Sequence, residues 1–159
     1  MRITDQYFWN FVFVLFFICL AVMATIILQD EAIKTYESLL LGDYVLMTLA
    51  AFRIVRATVY DKAFAFLREQ FYDVSEYKGK VVLVKPESGP RRTLADLLTC
   101  PWCVGMWAVF MVSFFYMLSA YAFYPVLILA LSGVASVLQI VSNLIGWKAE
   151  QTKYDVEGR

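Results

Sequence analysis

The sequence predicts an all-α membrane protein, a four-helix transmembrane bundle with short cytoplasmic interfacial helices. Of its 159 residues, 61% are hydrophobic, whereas soluble domains have about 45–50% apolar residues. The apolar residues form long uncharged runs, which are typical of membrane spans. The basic residues are concentrated in the segments that would face one side of such a bundle. We expect a single membrane domain over residues 1–159.

Four apolar runs are long enough to cross a hydrocarbon core of about 30 Å. The first holds 22 residues without a charge, and its length at ~1.5 Å per residue is about 33 Å. It exceeds the roughly 7–15 apolar residues of a signal peptide, so we expect an uncleaved span. Pro125 alone separates the last two runs, which predicts an antiparallel hairpin of helices. The four predicted spans are residues 7–28, 39–59, 102–124 and 126–147.

The distribution of lysine and arginine orients these spans. With the N-terminus inside, residues 53–92 and the C-terminal tail also lie inside. The inner side then carries 13 of the 14 basic residues, and only Lys34 remains outside. Cytoplasmic segments of membrane proteins carry an excess of Lys and Arg. We therefore expect a multi-pass membrane protein with both termini in the cytoplasm.

Residues 60–100 form the predicted cytoplasmic segment. Residues 60–77 are predicted to form an amphipathic helix on the inner leaflet or packed under the bundle, and a solvated continuation of the second span is the alternative. The Val-rich run at 81–84 lies between turn residues and predicts either a small β-hairpin or an extended loop. Thr93, with Asp96 three residues later, predicts the N-cap of a second interfacial helix. The helical spacing in the first part rests on Phe64, Leu67, Phe71 and Val74.

Two cysteines, Cys100 and Cys103, immediately precede the third span. Pro101 suits a first helical turn, so the pair is expected at a helix N-terminus, where the dipole lowers a thiol pKa. A structural role is favoured. A zinc site shared between two chains is an alternative, because two thiolates are half of a tetrahedral shell. A redox pair is the third interpretation, although the cytoplasm keeps thiols reduced.

Charged residues gather around the inner end of the second span. Arginine in a low-dielectric region needs a partner, and Asp61, Asp96 and lipid phosphates are the candidates. We interpret the cluster as an ion-pair latch between the second span and the start of the third. A pocket for a lipid headgroup or another ligand is the alternative. The cluster consists of Arg53, Arg56, Asp61 and Arg68.

A polar stripe follows one face of the fourth span. Its four residues lie within about 60° of one another on a helix. Polar side chains in a span normally face another helix. The stripe therefore predicts a packing seam within the bundle or an interface between chains, and the lining of a water-filled pore is the alternative. Its members are Ser132, Ser136, Gln139 and Asn143.

Composition excludes several classes of function. A net charge of zero gives no field that would attract nucleic acid. The sequence has no histidine, so a Ser–His or Cys–His nucleophile pair is excluded. We expect a protein without catalytic activity or cofactor that contacts protein or lipid at its cytoplasmic face. The alternatives are a holin-like or pore-forming oligomer and a thiol or zinc site at Cys100 and Cys103.

Two motifs carry a resemblance. Residues 53–61 read Arg-Ile-Val-Arg-Ala-Thr-Val-Tyr-Asp and are followed by Phe-Leu-Arg-Glu at 66–69, and residues 97–107 contain Cys-Pro-Trp-Cys-Val-Gly-Met-Trp. Together they resemble the domain-of-unknown-function family thirteen-sixty, small membrane proteins of spore-forming bacteria and bacteriophages. The resemblance implies a bacterial or phage origin, a location in the bacterial or host inner membrane, and a protein that is phage-encoded or related to sporulation. It implies no activity and no functional residue.

Overall fold

The computed structural model describes residues 2–77 and 80–158. Over these ranges the chain folds into six α-helices and one β-hairpin, with a π-helical turn at Arg56–Tyr60 that continues the second helix. The helices are α1 (Arg2–Glu31), α2 (Leu41–Val55), α3 (Ala65–Glu69), α4 (Pro90–Thr99), α5 (Pro101–Leu118) and α6 (Phe123–Glu157). The strands are β1 (Asp73–Tyr77) and β2 (Lys80–Val84). Short 3₁₀ turns lie at Tyr36–Ser38, Lys62–Phe64 and Ala120–Ala122.

Within the described ranges, three helical stretches are long and apolar enough to cross a membrane. They are Asp5–Glu31, Pro101–Leu118 and Ala120–Val156. The predicted helical class, with helices of membrane-spanning length and polarity, is confirmed, and the four-helix transmembrane bundle stays a prediction. The second predicted span corresponds to α2, which has 15 residues and is shorter than the roughly 17–25 residues of an ordinary span.

α2 occupies the centre of the bundle, between α5 and α6. Ala50 and Ala51 are buried there with Met47, against the buried faces of α5 and α6. Small residues allow helix backbones to approach one another closely. The closest approach is at Gly133 of α6, where an added Cβ would lie 2.5 Å from the backbone oxygen of Leu49. The residues of α5 and α6 in this core are Ala108, Val112, Tyr116, Val126 and Ala130.

The long helices alternate in direction. At one end of the bundle, the backbone N–H of Ile33 donates to the carbonyl of Met117 over 3.0 Å. At the other end, the side chain of Gln6 donates to the hydroxyl of Thr93 over 2.7 Å. α1 and α5 therefore run in one direction, and α2 and α6 run in the other. Residues 61–77 and 80–100 cover the second end, and we call these residues the platform.

The opposite end is held by a buried tyrosine that sequence patterns did not identify. The hydroxyl of Tyr116 donates to the carboxylate of Asp43, whose other oxygen accepts the backbone N–H of Leu40 over 2.9 Å. The ammonium of Lys34 lies 4.0 Å from the centre of the Tyr116 ring. These contacts join α5 to the start of α2 and to the loop that precedes it.

Replacing Tyr116 with phenylalanine is expected to destabilise the fold by about 1.5–3 kcal/mol, since a hydrogen bond to a charged group is lost. Thermal unfolding of the purified protein in detergent micelles measures the change. The matched control is Tyr44→Phe, because Tyr44 is exposed on α2 and its change should be small. Equal losses for the two variants would show that the Tyr116 hydroxyl contributes nothing.

The helix predicted over residues 60–77 is wrong in its second half. Helical structure ends at Glu69, and Asp73–Tyr77 forms β1. The register pairs Asp73 with Val84 and Val74 with Leu83. Apolar spacing over one segment did not account for the partner strand, whose backbone groups bond to it. The β-hairpin that the Val-rich run predicted is confirmed, and the extended-loop alternative is wrong.

Three helix boundaries also differ from the prediction. α4 begins at Pro90, so Thr93 lies inside the helix and is not its N-cap. The last two long helices are divided at residues 119–122 and not at Pro125. Proline fits the first turn of a helix because its missing N–H has no helical partner there. α6 then continues to Glu157, ten residues beyond the predicted end of the span at residue 147.

Candidate functional site

The platform end of α2 carries a sheltered ion pair. The guanidinium of Arg53 lies 3.1 Å from the carboxylate of Asp61, with side chains 27% and 33% exposed. Arg53 also donates to the hydroxyl of Ser136 over 3.2 Å, which joins α6 to the same group. The π-helical turn lies between the two partners in the sequence. The backbone N–H of Asp61, the residue that follows this turn, donates to the carbonyl of Arg56 over 3.1 Å. Such turns are frequent at functional sites.

The other two arginines of the predicted cluster contact the chain differently. Arg68 donates to the backbone carbonyls of Thr58 and Asp61, the second over 3.2 Å. The guanidinium of Arg56 lies 5.0 Å from the centre of the Tyr60 ring. Arg53, Asp61 and Arg68 thus fasten the end of α2 to the start of the platform, while Arg56 stacks beside them.

Asp96 does not join this cluster. It accepts hydrogen bonds from Lys85 and Arg92, each over 2.8 Å. Burial alone would raise the pKa of Asp96, but the hydrogen bonds from Lys85 and Arg92 outweigh burial and lower it. Arg92 also donates to the carbonyl of Pro86 over 3.0 Å. The candidates that the sequence placed in one latch therefore divide into two clusters, one at the end of α2 and one on α4.

Arg91 of α4 attaches the start of the hairpin to that helix. Arg91 lies 3.0 Å from the carboxylate of Asp73. Its other terminal nitrogen donates to the backbone carbonyls of Gln70 and Tyr72 over 3.1 and 3.3 Å. These bonds fix the start of β1 against α4.

The two cysteines lie at the start of α5, where the sequence placed them. Cys100 is the N-cap, and its sulfur accepts the backbone N–H of Cys103 over 3.3 Å. The thiol of Cys103 and then its backbone N–H lower the pKa of Cys100 by donating to its sulfur. Among residues 2–77 and 80–158, no group of three or more cysteine, aspartate or glutamate side chains is placed to hold a metal ion. One chain therefore offers two thiols and no third ligand in this part of the structure.

Alkylation should distinguish Cys100 by its pH dependence. We expect its reaction with iodoacetamide to be half-maximal at a pH below 9.0, the ordinary value for a thiol, because the thiolate is the nucleophile. Mass spectrometry of the labelled protein in detergent, from neutral to alkaline pH, gives the midpoint. Cys103→Ala removes one donor and should move the midpoint upward. A midpoint at or above 9.0 in the unmodified protein would contradict this expectation.

The polar stripe on α6 is divided between two environments. Ser136 donates to the carbonyl of Ser132 over 2.8 Å and accepts from Arg53, so this half faces α2. Gln139 and Asn143 are exposed and hydrogen bond to each other over 3.0 Å. The first half is a packing seam within the chain. The second half lies on the outer surface of the bundle.

A cavity of about 650 Å³ lies between α1, α4 and α5. Its walls are apolar, and the rings of Phe17 and Trp107 stack in them with their centres 3.6 Å apart. Asn10, Thr93 and Asp96 line it at the end beside α4. Sequence reasoning missed this cavity, because its residues come from three separate segments without a shared motif. We call it the α1 cavity.

The architecture and the site define a small protein of membrane-type helices with a polar platform at one end. Residues 46–142 match the family described as Protein of unknown function (DUF1360), and the chain belongs to this family. The resemblance seen in the two motifs is confirmed. The match includes most of α2, the π-helical turn, the platform, α5 and part of α6.

Two relatives come from Bacillus subtilis strain 168. The protein named Sporulation protein YjcA is 33% identical over 101 residues, which cover 60% of this chain and 86% of the relative. The protein named UPF0713 protein YngL is 27% identical over 97 residues, 60% of this chain and 75% of the relative. No solved structure matches this chain significantly. The whole of α1, including its residues in the α1 cavity, precedes the region matched by the family.

Proposed function

We propose that this chain is a multi-pass protein of the bacterial inner membrane, with four crossings and both termini in the cytoplasm. Three crossings are the long apolar stretches already described. The additional crossing, second along the chain, is α2 together with its π-helical turn, 20 residues from Leu41 to Tyr60 and up to about 30 Å long. Its position between α5 and α6 supports this, because a central helix needs less apolar surface toward lipid than a peripheral one. The concentration of basic residues on the platform side supports a cytoplasmic platform.

Cysteine accessibility tests this topology. In a variant without the three native cysteines, new cysteines are introduced at Thr35 and at Gln151. A membrane-impermeant maleimide should label Thr35→Cys in intact cells and Gln151→Cys only after lysis. Labelling of Gln151→Cys in intact cells would contradict the proposed orientation. Labelling of both positions in intact cells would place them on the same side of the membrane and would contradict four crossings.

We propose further that the protein has no catalytic activity and acts by binding another protein through the hairpin. One observation carries this proposal. Val74 and Leu83 are paired across the strands, on one face of the hairpin, and are 72% and 43% exposed. A two-stranded hairpin is marginal on its own, and an exposed apolar patch marks a site of interaction. Arg91 holds this face in a fixed position against α4.

The proposed setting is sporulation. The name of one relative, Sporulation protein YjcA, supports it, and no comparable observation supports a phage origin. The ion pairs of Asp96 with Lys85 and Arg92, and of Asp73 with Arg91, hold the platform together, which suits a rigid docking surface better than a reaction centre.

Cross-linking and complementation test the protein contact together. A photoreactive amino acid at Leu83 should give protein adducts in sporulating Bacillus cells, whereas one at Val22 of α1 should not. The double variant Val74→Thr/Leu83→Thr keeps residues that favour strands and should accumulate in the membrane. In a strain without YjcA, the unmodified chain should restore the formation of heat-resistant spores, whereas the double variant should not. Equal restoration by both proteins, or adducts to lipid alone at Leu83, would contradict the proposal.

The alternatives have their own outcomes. Full activity of a Cys100→Ser/Cys103→Ser variant in the same assay is expected, and its loss would favour the thiol or zinc site. A holin-like pore would make cells leak dye on high expression. We expect tight membranes, because Ser132 and Ser136, half of the stripe that would line a pore, belong to the seam with α2.

A further inference from the structure

We propose that the α1 cavity binds an anionic phospholipid, with an acyl chain between α1 and α5 and the phosphate beside Lys85 and Arg92. This goes beyond the proposed protein contact and uses different residues. Its assignment to the cytoplasmic leaflet rests on the proposed orientation, whereas the site itself does not.

The depth of the α1 cavity matches one leaflet. On α1 it extends from Asn10 to Ala21, which is about 16 Å along the helix axis. Half of a hydrocarbon core is about 15 Å. Asn10 lies at the platform end, where Thr93 donates to it over 3.0 Å, and the residues beyond it are apolar. The α1 cavity therefore begins at the interface and ends near the middle of the bilayer.

The width of the α1 cavity selects the occupant. A volume of about 650 Å³ over a depth of about 16 Å gives a mean cross-section of about 40 Å². A helix about 10 Å across needs about 80 Å², so the α1 cavity is too narrow to enclose a helix of a partner or of a second copy, whereas a single acyl chain is thin enough. Water is disfavoured against walls such as Phe13, Phe17 and Trp107. Val14 and Ile18 of the lining are exposed on α1, so the α1 cavity is open toward lipid, and an acyl chain can enter from the side.

The charges at the mouth select the headgroup. Asp96 lines the α1 cavity, and both Lys85 and Arg92 lie 2.8 Å from its carboxylate. Two cations against one carboxylate leave a net positive charge. The side chains of Lys85 and Arg92 are about one third exposed, so unused N–H groups remain accessible. Basic pockets between membrane helices at the cytoplasmic side bind anionic headgroups.

Quenching of Trp107 fluorescence tests the site, because Trp107 lines the α1 cavity. The protein with Trp107 as its only tryptophan is reconstituted in phosphatidylcholine vesicles. In one preparation, a small fraction of the lipid is phosphatidylglycerol with brominated acyl chains. In the other preparation, the same fraction is phosphatidylcholine with brominated acyl chains. We expect the brominated phosphatidylglycerol to quench about fivefold more strongly per mole, the factor for one basic residue near a membrane surface. Equal quenching by the two lipids, or stronger quenching by phosphatidylcholine, would overturn the proposal.

Two pairs of variants separate binding from structure. Asp96→Asn should increase the preference for phosphatidylglycerol, because it leaves both cations, whereas Arg92→Gln should abolish it. A merely structural ion pair would lower the preference in both variants.

Ala21→Phe fills the α1 cavity and should remove the excess quenching. Val22→Phe, at the next residue and outside the lining, should leave it unchanged. If Ala21→Phe does not fold, Val14→Phe at the open side replaces it. Excess quenching that survives the cavity-filling variant would overturn the site.

Discussion

Replacing Gly133 with alanine should destabilise the bundle by about 1–3 kcal/mol, the range for overpacking a close contact. The added Cβ would lie 2.5 Å from the backbone oxygen of Leu49 and 3.6 Å from the Cβ of Arg53. Neither atom can move without shifting α2, because the first belongs to its backbone and the second is fixed to it. The expected result is a separation of α6 from α2.

Replacing Gly146 with alanine should instead stabilise the folded protein. Nothing lies within 4 Å of a Cβ at that position of α6, and alanine is favoured over glycine in a helix by up to about 1 kcal/mol. Thermal or denaturant unfolding in micelles compares the two variants on one helix. A larger residue extends the test, since Gly133→Leu should prevent folding whereas Gly146→Leu should not. Similar behaviour of the two alanine variants would mean that α2 and α6 do not pack as closely as described.

The long helices were predictable because membrane spans depend on length and polarity, which are local. Three of the four predicted runs coincide with helices apolar enough to cross a bilayer. α2 is the exception, and its contacts explain why. A helix that packs on two sides can be short and can carry Arg53 near one end, so hydropathy describes it poorly.

The platform was less predictable because its structure depends on contacts between distant segments. The spacing of Phe71 and Val74 fits a helix, yet Phe71 lies in a turn and Val74 in β1, which forms because β2 lies beside it. Asp96 was one of the candidate partners for the arginines at the inner end of the second span, whereas the fold brings it to Lys85 and Arg92. No periodic pattern records which charges will meet across a loop.

The cysteines and the α1 cavity show the same division within the candidate site. The position of Cys100 at the start of α5 follows from Pro101 and the apolar run behind it, which are neighbours in sequence. The α1 cavity requires that α1 pass beside α4 and α5. Hydrogen bonds of Gln6 and Asn10 with the platform support that arrangement, and ordinary polar residues at a helix start do not predict it.

Replacing Asp61 with asparagine should cost about 1–3 kcal/mol, between the values for exposed and fully buried ion pairs. The carboxylate is the only ion-pair partner that the described residues provide for Arg53, and without it the guanidinium remains sheltered beside Ser136. The matched control is Asp73→Asn. Its pair with Arg91 has both side chains 54% exposed, so the loss should stay below about 1 kcal/mol.

A double-mutant cycle determines whether the pair itself carries the effect. Arg53→Met alone leaves Asp61 without its partner, whereas Arg53→Met with Asp61→Asn removes both charges. The double variant should therefore be more stable than the sum of the single losses predicts, because no uncompensated charge remains. Unfolding in micelles gives all four values. Additive losses, or equal losses for Asp61→Asn and Asp73→Asn, would mean that the end of α2 is held by packing and by Arg68, and that the pair of Arg53 and Asp61 does not fasten α2 to the platform.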